Sequence, residues 1–90
     1  MYYIDFSDRA ELGLAKLKKS EPKAFNKVLK LLEELQDHPK IGTGHPEPLK
    51  GNRSNQWSRH ITDKHRLIYE IRDTEVIVIV ISAYGHYDDK

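Results

Sequence analysis

Two arginines at positions 59 and 66 are spaced to bind a phosphate group. The segments QWSRHIT and HRLIYEI have the β-branched and aromatic content of strands, and Asp63 and Lys64 fall where a tight turn would join them. In that hairpin Ile61 pairs with Arg66, which puts Arg59 and Arg66 on one face of the sheet as diagonal neighbours, about 7–8 Å apart. Two guanidinium groups at this separation can donate hydrogen bonds to one phosphate from two sides.

The same predicted face carries apolar side chains. Trp57 and Ile61 are each two residues from Arg59, so in a strand they point to the same face as Arg59. A partly apolar face suits stacking against a nucleic-acid base. In the alternative interpretation, the two arginines form ion pairs with carboxylates such as Glu70. The residues of the hairpin are equally compatible with both.

One carboxylate, in the stretch GHPEPLK, has an unusually restricted backbone. Pro46 fixes its own φ, and Pro48 pushes Glu47 toward extended geometry. The surrounding segment DHPKIGTGHPEP predicts a loop. Taken alone, a glutamate in such a loop is a solvated surface acid, and the nearby Lys50 is a solvated lysine.

The net positive charge of the chain is concentrated in one segment. The net charge is +1 over 90 residues, but residues 40–72 carry seven lysines or arginines against three acidic residues. This segment also contains His45, His60 and His65. Such a segment can bind an anion such as an RNA backbone, or it can be an ordinary solvated surface.

Length and composition limit the classes of protein. Ninety residues suffice for one domain with one modest core, so residues 1–90 are expected to form a single domain. The absence of cysteine excludes disulfides and thiolate metal sites and suits a reducing cytoplasm. No apolar run is long enough for a membrane helix, and the first residues lack the pattern of a secretory signal. The histidines lack paired carboxylates at ligand spacing, so no metal or other cofactor is expected.

The order of predicted elements indicates the fold class. YYIDF predicts a strand, Ser7 or Asp8 can cap a helix that runs to about Lys19, and Pro22 suits the first turn of a second helix. The apolar face of that second helix is predicted to consist of Phe25, Val28, Leu29, Leu32 and Leu35. EVIVIVIS predicts a central strand covered on both faces. We therefore expect an α+β fold, with two N-terminal helices packed on one face of an antiparallel-rich sheet of four to five strands.

Four short sequence motifs occur in the order PEPLK, WSR, IT and HRLIY, and a fifth, SAYGHY, lies near the end of the chain. In this combination the sequence resembles the YoeB/Txe group of the RelE toxin superfamily, over about residues 42–71 and at the His-Tyr pair. The resemblance implies a RelE-like fold, similar to microbial ribonucleases. It also implies the toxin of a type II toxin–antitoxin pair, which cleaves messenger RNA in the A site of the 70S ribosome without a metal ion. Its cognate antitoxin would be of the YefM or Phd type.

The resemblance also assigns roles to individual residues. Glu47 would be the base that takes the proton of the RNA 2′-hydroxyl, and His86 the acid that protonates the departing 5′-oxygen. Arg66 would stabilise the negative charge of the transition state, and Tyr87 would help to hold the substrate. The restricted backbone of Glu47 suits a base that must reach one proton. The residues expected to contact RNA or the ribosome are Lys50, Trp57, Arg59 and His60.

Some features depart from the family pattern and leave other functions open. His60 stands where relatives have a second basic residue, and residues 88–90 follow the His-Tyr pair at which relatives commonly end. On the same scaffold, the chain could instead be an inhibitor that poisons DNA gyrase. It could also be a non-catalytic module that only forms an antitoxin complex and represses the operon. A homodimer is compatible with the sequence.

Overall fold

The computed structural model describes residues 1–50 and 55–85 of the chain. The first strand, β1, spans Tyr3–Phe6, and the helices α1 and α2 span Asp8–Ser20 and Pro22–Asp37. The Oγ atom of Ser7 accepts a hydrogen bond from the N–H of Ala10 and thereby caps α1, as predicted. Pro22 occupies the first turn of α2, where a backbone N–H would have no hydrogen-bond partner within the helix.

The remaining strands complete a five-stranded sheet. They are β2 (Glu47–Pro48), β3 (Gln56–His60), β4 (Arg66–Arg72) and β5 (Ile77–Ser82), and the order across the sheet is β1-β5-β4-β3-β2. The first strand is parallel to β5, whereas all other neighbours are antiparallel. The α+β fold with two helices on a mostly antiparallel sheet is confirmed.

The two helices cover one face of the sheet, which we call the inner face. The buried core joins apolar residues of the helices to alternate residues of the strands. It contains Ala10, Leu17, Ala24, Val28, Leu31 and Leu35 from the helices and Leu67, Tyr69, Ile71, Val78 and Val80 from the sheet. The opposite face of the sheet, which we call the outer face, carries the other half of the strand residues. Burial of these apolar side chains is the main contribution to stability.

Two predictions about burial are corrected by the structure. Leu29 is exposed, whereas Leu31 is buried, so the core face of α2 is rotated from the predicted one. In β5, Val78 and Val80 are buried but the alternate residue Ile79 is only half-buried. The strand is therefore interior to the sheet but is not covered on both faces, because the helices lie on one side only.

The hairpin between β3 and β4 differs by one residue from the predicted register. His60, rather than Ile61, pairs with Arg66, and Arg59 pairs with Leu67. The connection is a five-residue loop, in which the N–H of Ile61 donates to the carbonyl of His65. Because side chains alternate along a strand, a shift of one residue moves Arg59 to the face opposite Arg66.

Gly13, in the middle of α1, has a packing role. A Cβ atom at this position would lie 2.9 Å from the Cβ of Tyr84 and 3.2 Å from its backbone nitrogen. The absence of a side chain lets the helix approach the segment that follows β5. This contact explains why position 13 is a glycine, although glycine in the middle of a helix lowers its stability.

Candidate active site on the outer face of the sheet

Glu47, His60 and Arg66 share the outer face of the sheet. Glu47 pairs with Ser58 across the β2–β3 ladder, and His60 pairs with Arg66 across the β3–β4 ladder. Directly paired residues point to the same side of a sheet, and so do residues two apart along one strand. Ser58 and His60 therefore link the carboxylate to the arginine on a single face.

The spacing on this face leaves room for a substrate. Glu47 and Arg66 are separated by two strand spacings and by two residues along the strand direction, so their backbones are roughly 12 Å apart. His60 lies directly opposite Arg66 and diagonally from Glu47. A phosphodiester placed over His60 can be reached by Glu47 from one side and by the long side chain of Arg66 from the other.

The segment between α2 and β2 forms one wall of a cavity beside Glu47. The cavity has a volume of about 530 Å³ and is lined by Lys40, Ile41, Gly42, His45, Pro46, Glu47 and His60. Lys40 and His45 bring further cationic or titratable groups to the site, and neither was among the predicted site residues. The sequence could have indicated these two residues, because they lie in the same Pro- and Gly-rich loop as Glu47. His45 also has a φ of 51°, an uncommon backbone conformation for a residue with a side chain.

Arg59 does not belong to this exposed site, contrary to the prediction that it contacts RNA. Its side chain is fully buried on the inner face, where each of its five N–H groups has a partner. Nε donates to the hydroxyl of Tyr69 at 3.1 Å, and Nη1 donates to Glu34 Oε1 at 2.9 Å. The other three N–H groups donate to the carbonyl oxygens of His38, Ile41 and Thr43.

The buried arginine holds the cavity wall against the sheet. Three of its acceptors are backbone carbonyls between positions 38 and 43, the segment that leads into the loop carrying Glu47. Glu34 binds the same segment, since it accepts hydrogen bonds from the N–H and the hydroxyl of Thr43 at 2.8 and 2.6 Å. A further bond runs from the N–H of His60 to the carbonyl of Gly44, at 2.7 Å. Arg59 therefore acts on the site through the loop.

The protonation states in this cluster are set by the same contacts. Partial burial alone would raise the pKa of Glu34, but hydrogen bonds from Thr43 and Arg59 outweigh it and hold the pKa below its ordinary value. Burial raises the pKa of Tyr69, against a smaller opposing effect of Arg59. The Tyr69 hydroxyl thus stays protonated and donates to the carbonyl of Pro39 at 2.7 Å.

The other predicted site residues are distributed differently. Trp57 lies on the inner face, because it pairs with Tyr69, and it packs against the core instead of facing Arg66. Lys50 is exposed just beyond β2. His86 and Tyr87 lie outside the described residues.

Glu47 was predicted to lie in a loop, but it forms a short edge strand with Pro48. Pro48 is tolerated there because an edge strand does not need every N–H group. Within residues 1–50 and 55–85, no three His, Cys, Asp or Glu side chains lie close enough together to hold a metal ion. No helix of this described part is long and apolar enough to cross a membrane.

The fold, with two helices on a mixed five-stranded sheet, is similar to that of a solved bacterial toxin of the YoeB/ParE type. The sequence profile of the YoeB-like toxin of bacterial type II toxin–antitoxin systems matches residues 6–87. The chain therefore belongs to the YoeB-like toxin family. A curated relative, Toxin YoeB of Mycobacterium bovis, is 41% identical over 68 residues, which cover 76% of this chain and 78% of the relative.

Solved structures show the same fold over nearly the whole chain. The YoeB/ParE toxin from Agrobacterium tumefaciens superimposes with a TM-score of 0.88 at 27% identity, covering 94% of this chain and 99% of that one. Two structures from Staphylococcus aureus, a YoeB dimer and a YoeB–YefM complex, give TM-scores of 0.84 and 0.81 at 29% and 30% identity. They cover 96% and 97% of this chain, and 98% and 99% of their own.

Proposed function

We propose that this toxin is an endoribonuclease that cleaves messenger RNA in the ribosomal A site and thereby stops translation. The observation that carries the proposal is the shared outer face of Glu47, His60 and Arg66. The N–H of Arg66 also donates to the carbonyl of Gly85 at 3.1 Å, so the chain that continues into His86 departs from beside Arg66. Membership of the YoeB-like family supports the same activity.

The proposed reaction is a transesterification within the RNA. Glu47 takes the proton of the 2′-hydroxyl, and the resulting oxygen attacks the adjacent phosphorus. The bond from phosphorus to the 5′-oxygen breaks, and His86 donates a proton to that oxygen. The products are a 2′,3′-cyclic phosphate and a free 5′-hydroxyl. Side chains supply the base, the acid and the positive charge, so this scheme requires neither a metal ion nor another cofactor.

The remaining residues bind and orient the substrate in this proposal. Arg66 stabilises the additional negative charge on the phosphorus-bound oxygens, and Tyr87 helps to hold the RNA. His60 and Lys50 contact the RNA backbone. Lys40, which lines the cavity beside Glu47, is proposed as a third such contact. Glu47 is exposed, and its backbone is roughly 12 Å from that of Arg66, so the substrate must be oriented from outside. The ribosome would supply that orientation.

The partners follow from the same assignment. The S. aureus YoeB is seen in a complex with YefM, and we propose that a YefM-like antitoxin neutralises this toxin. That toxin is also seen as a dimer, and free molecules of this toxin are proposed to associate in the same way. Action on the 70S ribosome places the toxin in the cytoplasm.

The proposal is tested with 70S ribosomes that hold a defined codon in the A site. The wild-type toxin, Glu47→Ala, His86→Ala and Glu33→Ala are added, and the ends of the message are mapped by primer extension. Glu33 is an exposed glutamate of α2 and serves as the matched control. We expect cuts within the A-site codon, about 10²- to 10⁴-fold slower for the Glu47 and His86 variants and unchanged for the control.

Wild-type rates in a folded Glu47→Ala variant would contradict the assigned base. Expression of the toxin alone in bacteria distinguishes the other functions. Growth arrest with an intact message and DNA damage would point to gyrase, and the absence of arrest would point to a non-catalytic module.

A further inference from the structure

His65 is a buried histidine whose two ring nitrogens are both engaged. Its exposed fraction is 4%, and the Nε2 atom lies 2.7 Å from Glu21 Oε2. The Nδ1 atom accepts a hydrogen bond from the backbone N–H of Gly85 at 2.8 Å. Since Nδ1 is the acceptor, the proton of the neutral ring is on Nε2 and is donated to Glu21.

Gly85 is held from both sides by consecutive residues of the chain. Its N–H is bound by the ring of His65, and its carbonyl accepts the N–H of Arg66 at 3.1 Å. We call these three residues the Gly85 clamp. The clamp joins the start of β4, which carries the proposed charge-stabilising arginine, to the residue that directly precedes His86.

The clamp is anchored to the helices. Glu21, the partner of His65, lies at the junction of α1 and α2 as the N-cap residue of α2. On the other side, the ring of Tyr84 packs against that of His65 with a centroid distance of 4.6 Å. Tyr84 in turn lies against Gly13 of α1. Both helices thus support the position of Gly85.

We propose that His65 is a positioning residue for the nuclease reaction, acting through Gly85 on the general acid His86. This inference rests on the proposed function. Residues that follow the last strand of a sheet lose their position readily unless they are tied down. A general acid must lie within hydrogen-bond distance of the atom it protonates, and an error of about 1 Å can cost about 100-fold in rate. A hydrogen bond to the residue before His86 limits that error.

Two substitutions separate the two bonds of His65. In His65→Asn, the amide oxygen lies near the position of Nδ1 and can still accept from the Gly85 N–H, but the contact with Glu21 is lost. In His65→Gln, the amide nitrogen lies near the position of Nε2 and can still donate to Glu21, but the Gly85 N–H loses its acceptor. Each variant keeps one of the two contacts, so they form a matched pair.

The measurement is the single-turnover rate of cleavage on saturating programmed ribosomes. His65→Gln is expected to cut about 10- to 100-fold more slowly than the wild type, and His65→Asn to remain within about threefold. Binding to the ribosome should be unchanged in both. Urea unfolding of both variants shows whether a slower rate merely reflects a loss of folded protein.

Combination with His86→Ala shows whether the effect passes through the acid. If His65 acts by positioning His86, His65→Gln should not slow the residual cleavage of His86→Ala any further. The same factor of loss in both backgrounds, or equal rates for folded His65→Asn and His65→Gln, would overturn the inference. If His65→Gln does not fold, the test uses His65→Asn alone. A folded His65→Asn variant that cuts as slowly as His86→Ala would then overturn the inference. Failure of the wild type to cleave would instead contradict the proposed function.

Discussion

The guanidinium of Arg59 is fully buried, and its Nη1 atom lies 2.9 Å from Oε1 of Glu34. Glu34 is partly exposed, and both residues also bind the backbone of the segment before the GHPEP loop. A charge pair at the junction of α2, β3 and this loop thus supports one wall of the candidate active site from behind. The stability of the fold and the geometry of the site are therefore linked through the same two side chains.

The Glu34→Gln substitution should lower the free energy of unfolding substantially. The change leaves the charge of Arg59 buried without a counter-charge, and breaking such a pair costs on the order of 3 kcal/mol. Urea denaturation at neutral pH, followed by circular dichroism, measures the difference. Glu33→Gln, an exposed position on the same helix, should stay within about 0.5 kcal/mol of the wild type. Equal stability of the two variants would show that the pair is not stabilising.

The contribution of Glu34 should also disappear in acid. The pKa of this carboxyl is lowered on folding from its ordinary value of 4.5, so the folded state favours the charged form. The stabilisation is then fully present above about pH 4.5 and is lost as the pH falls through the lower folded-state pKa. Urea denaturation over a pH series should show the wild type and Glu34→Gln converging below that pH. A constant difference down to about pH 2 would contradict this.

Gly44→Ala should displace the loop that presents Glu47. Gly44 has a φ of 86°, and a Cβ atom there would lie 2.8 Å from the carbonyl oxygen of His60. Because the contact is with backbone, the loop must shift from β3, and we expect a loss of about 10- to 100-fold in cleavage of ribosome-bound message. Leu29→Ala serves as the control, since Leu29 is an exposed residue of α2 and does not line the cavity beside Glu47. Equal activity of both variants would show that the position of this loop is not critical.

Gly13→Ala tests the packing of α1 independently of any activity. At an unobstructed helix position, replacing glycine by alanine gains about 1 kcal/mol. Here the added Cβ meets Tyr84 at 2.9 Å, so we expect a net loss of about 1–2 kcal/mol from overpacking. Thermal or urea unfolding measures the sign directly. Asn26→Ala, at an exposed position of α2, should instead stabilise slightly, and a gain for Gly13→Ala would contradict the close contact.

Local patterns in the sequence were sufficient for every element of the described residues except β2, and for the class of protein. The cap at Ser7, the helix start at Pro22 and the strand-forming segments depend on residues close in the chain. These signals predicted the α+β fold, and the words PEPLK, WSR and HRLIY indicated the family. They also pointed to Glu47 and Arg66, which the fold places on the outer face of the sheet.

The tertiary structure alone decided which face each hairpin residue occupies. The loop between β3 and β4 has five residues, one more than the predicted register allows, and this exchanges the roles of Arg59 and His60. Arg59 becomes a buried support for the loop, while His60 joins Arg66 on the outer face. Helical and strand periodicity are properties of neighbouring residues and can be read locally. Strand register depends on turn geometry and on which side chains pack in the core. A slip of one residue moves every side chain of the strand to the opposite face of the sheet.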